Sequence, residues 1–455
     1  MNKTKRSLST TQVILLGFLL TIAAGTLFLC LPASSASGVA AKPLDACFTA
    51  VTSTCVTGLV VQDTFSYWSI FGQAVILVLI QLGGLGVVSL TTAVMLIIGR
   101  RVTLRDRLLL EDAFNLDSLS GLVRFLLRMF RITFLIEAAG ALIYCTVFIP
   151  RFGFRRGLWV SVFTSVSAFC NAGIDIIGAD SLIPYASNPI VILTTSALII
   201  SGGLGFLVWW DISRVFRMIK AGLCVPKKAF ARFSLHTKIA LCMTALLLTV
   251  STAAVFILEY NNPETIGGMS MGEKLLASFF EAATLRTAGF ASIPQKGLTD
   301  ASVLICMLMM FIGGSPVGTA GGVKTTTVAA LLISARSFAL GRRNTSVFSR
   351  SLPTDTVKKS LTVTLISVFV MICAVILLLA TQTGAFTDIA FEAVSALGTA
   401  GLTRSYTTSL NTFGKIIIMI CMYLGRVGPI SLVIALSGKR REEYLILPEE
   451  DIRVG

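Results

Sequence analysis

The chain has 455 residues, 55% of them hydrophobic and 13% charged, with a formal net charge of +15 and a mean hydropathy of +0.84. A soluble protein cannot hide that much apolar surface, so the composition excludes a globular cytosolic enzyme and implies an all-α protein that crosses a membrane repeatedly. The positive charge is divided among short loops, which argues against nucleic-acid binding.

Residues 11–31 form the first apolar stretch of spanning length. They are expected to be retained, because the only nearby small-residue cluster follows Pro32 and does not resemble a signal cleavage site. After a short linker comes Phe48–Gly58, FTAVTSTCVTG, and then an apolar stretch at about 69–99 that carries Gly83-Gly84-Leu85-Gly86. The same order recurs three times. The second unit has a span at 122–149, the segment Phe163–Gly173 (FTSVSAFCNAG), and a span at 189–210 with Gly202-Gly203-Leu204-Gly205. The third has 238–258, Phe279–Gly289 (FFEAATLRTAG) and 300–333 with Gly313-Gly314-Ser315-Pro316. The fourth has 360–380, Phe391–Gly401 (FEAVSALGTAG) and 412–437 with Gly425-Arg426-Val427-Gly428. Eight spans in four units are expected, bounded at 1–107, 108–232, 233–350 and 351–455.

Gly58, Gly173, Gly289 and Gly401 are 115, 116 and 112 residues apart. Self-similarity at a fixed period marks repeated structural units. Each repeated segment is too short to cross a bilayer, and segments of that length are often re-entrant. It is expected to enter as a short helix and return as extended backbone, which membranes tolerate only where it lines a water-filled cavity or is buried in protein. Glycine at the turn permits positive φ and close approach of carbonyls to an axis. Four such returns would give a ring of carbonyl oxygens able to replace a cation's hydration shell, and the negative ends of the short helices favour a cation too. The competing reading is that the glycines only let helices pack.

Lys and Arg set the orientation. The even-numbered loops and both termini hold 27 of the 38, so both termini are expected in the cytoplasm and the four returns open outward. Arg151, Arg155 and Arg156 are a local exception.

The third unit departs from its sisters. Residues 313–327 read GGSPVGTAGGVKTTT. Gly313, Gly314, Gly318, Gly321 and Gly322 with Pro316 should break the helix at membrane depth into an irregular loop facing the conduit. Ser315 and Thr319 would offer oxygens to a passing ion. Lys324 follows Val323, not Gly, so the stretch does not make a phosphate loop. Arg426 replaces a glycine of the unit pattern, and an Arg within a span is costly and usually functional or paired. Glu281, Glu392 and Glu137 are open: they could attract cations, cap helices or, for the first two, pair with Arg286. Tyr423 is expected to pack. The ten cysteines and the single histidine, His236, show no metal spacing, and no catalytic constellation is present.

The residues TCVTGL, FCNAGI, LRTAGF and LGTAGL resemble the four filter signatures of the Trk/Ktr/HKT superfamily of potassium transporters, over nearly the whole chain. The short N-terminus is most similar to the bacterial KtrB-type subunit. The resemblance implies four span–pore helix–span repeats with pseudo-fourfold symmetry around one pore. It implies filter glycines at Gly58, Gly173, Gly289 and Gly401, with Val56, Thr57, Asn171, Ala172, Thr287, Ala288, Thr399 and Ala400 supplying neighbouring carbonyls. It implies potassium as the transported ion, with possible sodium dependence and no cofactor, since Gly58 stands where some sodium-favouring plant members carry Ser. It further implies a mobile intramembrane gate at 313–327, with Arg426 against it as a positive barrier. A homodimer in the bacterial plasma membrane, with a cytoplasmic nucleotide-binding ring of the KtrA type, follows from the same likeness. The basic loops at 213–238 and 336–359 are candidate contacts. A sodium-conducting member and an alternating-access transporter of another solute are the alternatives; the latter would usually show inverted repeats.

Overall fold

The computed structural model describes residues 10–87, 89, 92, 122–342 and 344–428. The distal part of the 69–99 and 412–437 stretches, the first unit boundary at 107/108, and the basic termini lie outside the described residues.

Four helices are long and apolar enough to cross a membrane among those residues: α1 (Thr10–Leu29), α4 (Leu122–Phe152), α8 (Leu235–Glu259) and α12 (Thr354–Thr381). They are the first helices of the four units. Each is followed by a short helix: α2 (Pro43–Cys55), α5 (Phe154–Cys170), α9 (Met271–Thr284) and α13 (Phe386–Gly398). The starts are specified locally. Pro43 occupies the first turn of α2 beside Asp45, and Ser270 with Glu273 makes a capping box on α9, satisfying amide groups that a helix N-terminus leaves bare.

The second apolar helix of each unit is interrupted, as the glycine content of 313–327 predicted for the third. These are α3 (Ile70–Leu85), α6 (Pro189–Gly203), α10 (Asp300–Phe311) and α14 (Thr412–Val427). Each begins on a side-chain cap, from Ser69, Asn188, Thr299 and Asn411 respectively. Each stops within 12 to 16 residues, at most about 24 Å of rise, which falls short of a ~30 Å hydrocarbon core. The stops fall at the second glycine mark. Gly86, Gly205 and Gly428 take φ of 85°, 89° and 90°, a region open to glycine and costly for other residues. In the second unit the chain resumes as α7 (Phe206–Lys220), turned 93° from α6. In the third it resumes only at α11 (Thr325–Ala339). A two-stranded hairpin, β1 (Ser346–Val347) with β2 (Arg350–Ser351), precedes α12.

Packing closes on itself. Each short helix contacts the first helix of its own unit, α2, α5 and α13 also contact the second, and the ring is carried on by contacts to the unit before: α5 meets α3, α9 meets α6, and α13 meets α10. The fourth unit's α14 meets α2 of the first, so the contacts run round a ring. The core lies along the short helices, where Phe48, Phe163 and Phe391 are fully buried. In the third unit Phe280 fills that role and Phe279 is only half-buried, a one-residue slip against the expected register.

Candidate functional site

The ends of the four short helices meet at the middle of this ring. Two residues before each repeated glycine the backbone is left-handed: Val56 (φ 56°), Asn171 (φ 59°), Thr287 (φ 64°) and Thr399 (φ 50°). Such a conformation costs a non-glycine residue on the order of 1–2 kcal/mol, so four at equivalent places mean that the surroundings enforce the turn. The amides just beyond are absorbed by the helix ends: Thr57 N–H donates to Thr52 O, Ala172 N–H to Ser167 O, Ala288 N–H to Thr284 O and Ala400 N–H to Ser395 O. The carbonyls that follow are left free to point elsewhere.

The glycines show where. A Cβ on Gly58 would lie 2.6 Å from Ala172 O. One on Gly173 would lie 2.5 Å from Ala288 O, and one on Gly289 3.0 Å from Ala400 O. One on Gly401 would collide with Thr57 O, closing the circuit. Each glycine therefore faces the carbonyl of the residue preceding the next glycine, in chain order and back to the start. The helix C-termini aim their negative dipole ends at this same point. The hydroxyls of Thr57 and Thr399 are buried there without a protein partner. All twelve residues expected from the sequence to contribute to the returns are brought together.

Residues 312–324 sit directly against the ring. Gly313 N–H donates to Val323 O at 2.9 Å and Val323 N–H to Phe311 O at 3.1 Å, which cinches the base of the loop. The loop then reaches its neighbours. Ser315 and Thr319 donate their N–H groups to Gly203 O and Gly202 O, and Phe206 N–H donates to Val317 O at 2.8 Å. Thr319 Oγ1 donates to Phe169 O at 3.0 Å, and Gly321 N–H to Thr287 Oγ1 at 3.1 Å. Ser315 and Thr325 share a hydroxyl contact at 3.0 Å. Lys324 Nζ folds back on Ala320 O at 2.7 Å, so it caps the loop and does not project into open space. A Cβ on Gly318 would lie 2.9 Å from Gly202 O. A cavity of about 200 Å³ borders the loop, lined in part by Gly322, Lys324, Ser367 and Gly428.

Arg426 ties the loop to the first unit. Its guanidinium donates to Thr319 O and, on the other side, to Gly83 O and Gly84 O. No carboxylate pairs with it among the described residues. Five donors in a planar fork suit several carbonyls at once.

The open acids resolve as hydrogen-bonded groups, though Oε1 of Glu281 is buried without a partner. Glu392 accepts from Thr403 Oγ1 at 2.7 Å and from Thr407 Oγ1. Glu281 accepts from Gln295 Nε2 at 3.1 Å. Glu137 accepts from Gln81 Nε2 at 3.1 Å, and Ser165 Oγ donates to its backbone carbonyl. The pairing of Glu281 or Glu392 with Arg286 does not occur: all three guanidinium nitrogens of Arg286 are buried without a hydrogen-bond partner, and only its backbone is engaged, its N–H donating to Ala283 O and its carbonyl accepting from Asn171 Nδ2 at 3.3 Å. Tyr423 donates its hydroxyl to Leu15 O at 3.0 Å, a tie that packing alone did not predict. Sequence reasoning missed Thr403, Thr407 and Gln295. Their only signal was that polar residues follow each glycine.

A family model described as a cation transport protein, TrkH, matches residues 3–443. The Ktr system potassium uptake protein B of Bacillus subtilis is 37% identical over 447 residues, covering 98% of this chain and 96% of that one. The potassium/sodium uptake protein NtpJ of Enterococcus hirae is 37% identical over 459 residues, covering 100% and 99%. Among solved structures, the crystal structure of the potassium transporter TrkH from Vibrio parahaemolyticus aligns with a TM-score of 0.73 at 16% identity, covering 96% of this chain and 87% of that one.

Proposed function

As the chain belongs to the TrkH family of cation transport proteins and is a transporter and not an enzyme, we propose that it takes up potassium through the ring of returns and controls passage with the 312–324 loop. The observation that carries this is the circuit of glycines facing the carbonyls of Thr57, Ala172, Ala288 and Ala400. Four carbonyl oxygens around one point are the chemistry that strips and replaces the water of a large monovalent cation. Only one glycine per unit contributes, so discrimination is shallower than in a filter with several carbonyl layers.

The four units 1–107, 108–232, 233–350 and 351–455 act as four walls with pseudo-fourfold symmetry and eight membrane passages. Both termini face the cytoplasm. The loop is the gate: Gly313, Gly314, Gly318, Gly321 and Gly322 give it freedom, and the adjoining cavity gives it somewhere to go. Arg426 holds it shut through carbonyls and adds a positive barrier. Two Bacillus subtilis relatives carry Ktr system names, which supports a subunit of a multi-component system; the proposal adds that it dimerises and works with a cytoplasmic nucleotide-binding partner.

Purified chain in liposomes, loaded with a potassium tracer against a series of sodium concentrations, tests the ion. Gly58→Ser should lower discrimination of potassium over sodium; unchanged preference in a folded variant removes Gly58 from the filter. Deleting part of 315–323 should raise flux, and unchanged flux in a folded deletion makes the break a packing feature only. A second reading, conduction of sodium as well as potassium, is favoured by the name of the Enterococcus hirae relative; tracer sodium competing on equal terms would select it.

A further inference from the structure

Among the described residues, α7 is the one helix that leaves a preceding apolar helix at a sharp bend within a short break. It leaves α6 at 93°, and α6 packs along the 31-residue span α4. With the proposed orientation, a helix perpendicular to α6 at its inner end runs in the plane of the membrane, within the depth an interfacial helix occupies. Its sequence, FLVWWDISRVFRMIK, suits that place. Val208, Asp211 and Val215 are buried on one face, while Phe216, Arg217 and Lys220 are exposed on the other. A basic and aromatic exposed face on a strongly amphipathic helix is the signature of an interfacial segment that attracts anionic headgroups. Arg214 is already committed, to Asp211 at 2.6 Å and to Arg232 O. Arg217 and Lys220 meet no carboxylate among the described residues. Lys220 Nζ lies 5.2 Å from the Phe216 ring, so cation and apolar surface are side by side. The inner face is fixed: the Arg128 guanidinium stacks 4.6 Å over Trp210, and Trp209 Nε1 donates to Ser201 O across the bend.

The first residue of this helix is also wired to the loop. Phe206 N–H donates to Val317 O at 2.8 Å, and Gly205 is so close to Pro316 O that a Cβ would collide with it. Val317 itself is held at φ 59°. Force on α7 therefore reaches the loop through one peptide junction, along a rigid rod of 15 residues.

We propose that α7 is a binding site for anionic phospholipid, with the headgroup phosphate on Arg217 and Lys220 and acyl chain against Phe216, and that its occupancy sets the position of the 312–324 loop. The second half rests on the loop being the gate. Purified full-length chain is reconstituted in phosphatidylcholine alone and with phosphatidylglycerol, and tracer flux is read beside tryptophan quenching by brominated forms of each lipid. Wild type should be quenched preferentially by the anionic lipid, and its flux should differ between the two membranes. The double change Arg217→Gln with Lys220→Gln should weaken the preference roughly fivefold per charge removed and erase the flux difference. Lys227→Gln with Lys228→Gln, the same charge loss in the next loop, should keep both. Equal quenching by both lipids overturns the site, as does inorganic phosphate reproducing the effect in neutral vesicles. Preferential quenching with lipid-independent flux overturns the coupling. A loop deletion that leaves flux unchanged while the quenching preference persists overturns the gate but not the lipid site.

Discussion

The four returns and the four breaks beneath them are built from the same repeat, yet one set is nearly uniform and the other is not. At the returns every unit places a left-handed residue, one spacer and a glycine, and every glycine faces the next unit's carbonyl. At the breaks the second unit bends by 93°, the third inserts the 312–324 loop, and the fourth carries Arg426 where its sisters have glycine. Equal walls suit a site that must surround an ion from all sides. Unequal floors suit a device that opens from one side. Under the proposed function, symmetry is kept where a spherical ion would be held and abandoned where a gate would move.

The contrast breaks most visibly at Gly401. A side chain there meets Thr57 O at φ 81°, combining backbone strain with overpacking of ~1–3 kcal/mol. Gly401→Ala should cost at least about tenfold in ion discrimination, ~1.4 kcal/mol, and lower the melting temperature; flux competition and thermal unfolding on one preparation check both. Arg426→Gln is next and acts on the floor alone. It removes the charge and part of the fork between Thr319 O and the Gly83–Gly84 carbonyls, so resting flux should rise severalfold while ion preference stays. Slower flux, or altered preference at normal flux, would make Arg426 a structural tie. Gly84→Ala probes the seam between the two tiers, because its Cβ would lie 2.6 Å from Cys170 Sγ. It should destabilise by ~1–3 kcal/mol, and Cys170→Ala in the same chain should recover much of the loss; additive losses in the thermal melts would show that the two do not touch. Smallest is Thr403→Val, which removes one hydroxyl from the buried Glu392. A loss of about 1 kcal/mol with unchanged ion preference is expected, and a selectivity change would instead tie Glu392 to the ion.

The glycines were legible because a fixed period and a tolerance for positive φ are both properties of sequence. The left-handed residue before the spacer was not. Val56 is β-branched, and nothing in its identity predicts φ 56°; the ring imposes it. The break of the 300–333 stretch was legible in its glycines and proline, whereas the sharp angle within 189–210 was not, since hydropathy sums composition and is blind to direction. Their true ends are set by Gly203–Gly205 and by Phe311, where packing against neighbouring units decides whether a flexible point becomes a bend. Arg426 was legible as an anomaly in a pattern. Its partners were not, because they are backbone carbonyls 107 and about 340 residues away.

That last separation has a consequence for how the molecule comes into being. The chain emerges from the ribosome N-terminus first, so the seam joining Gly401 to Thr57 and Arg426 to Gly83 is the last to be written. A chain interrupted before residue 401 lacks the fourth glycine of the ring. The order of synthesis thus places the fastening last: Arg426 follows the final glycine of the ring by 25 residues.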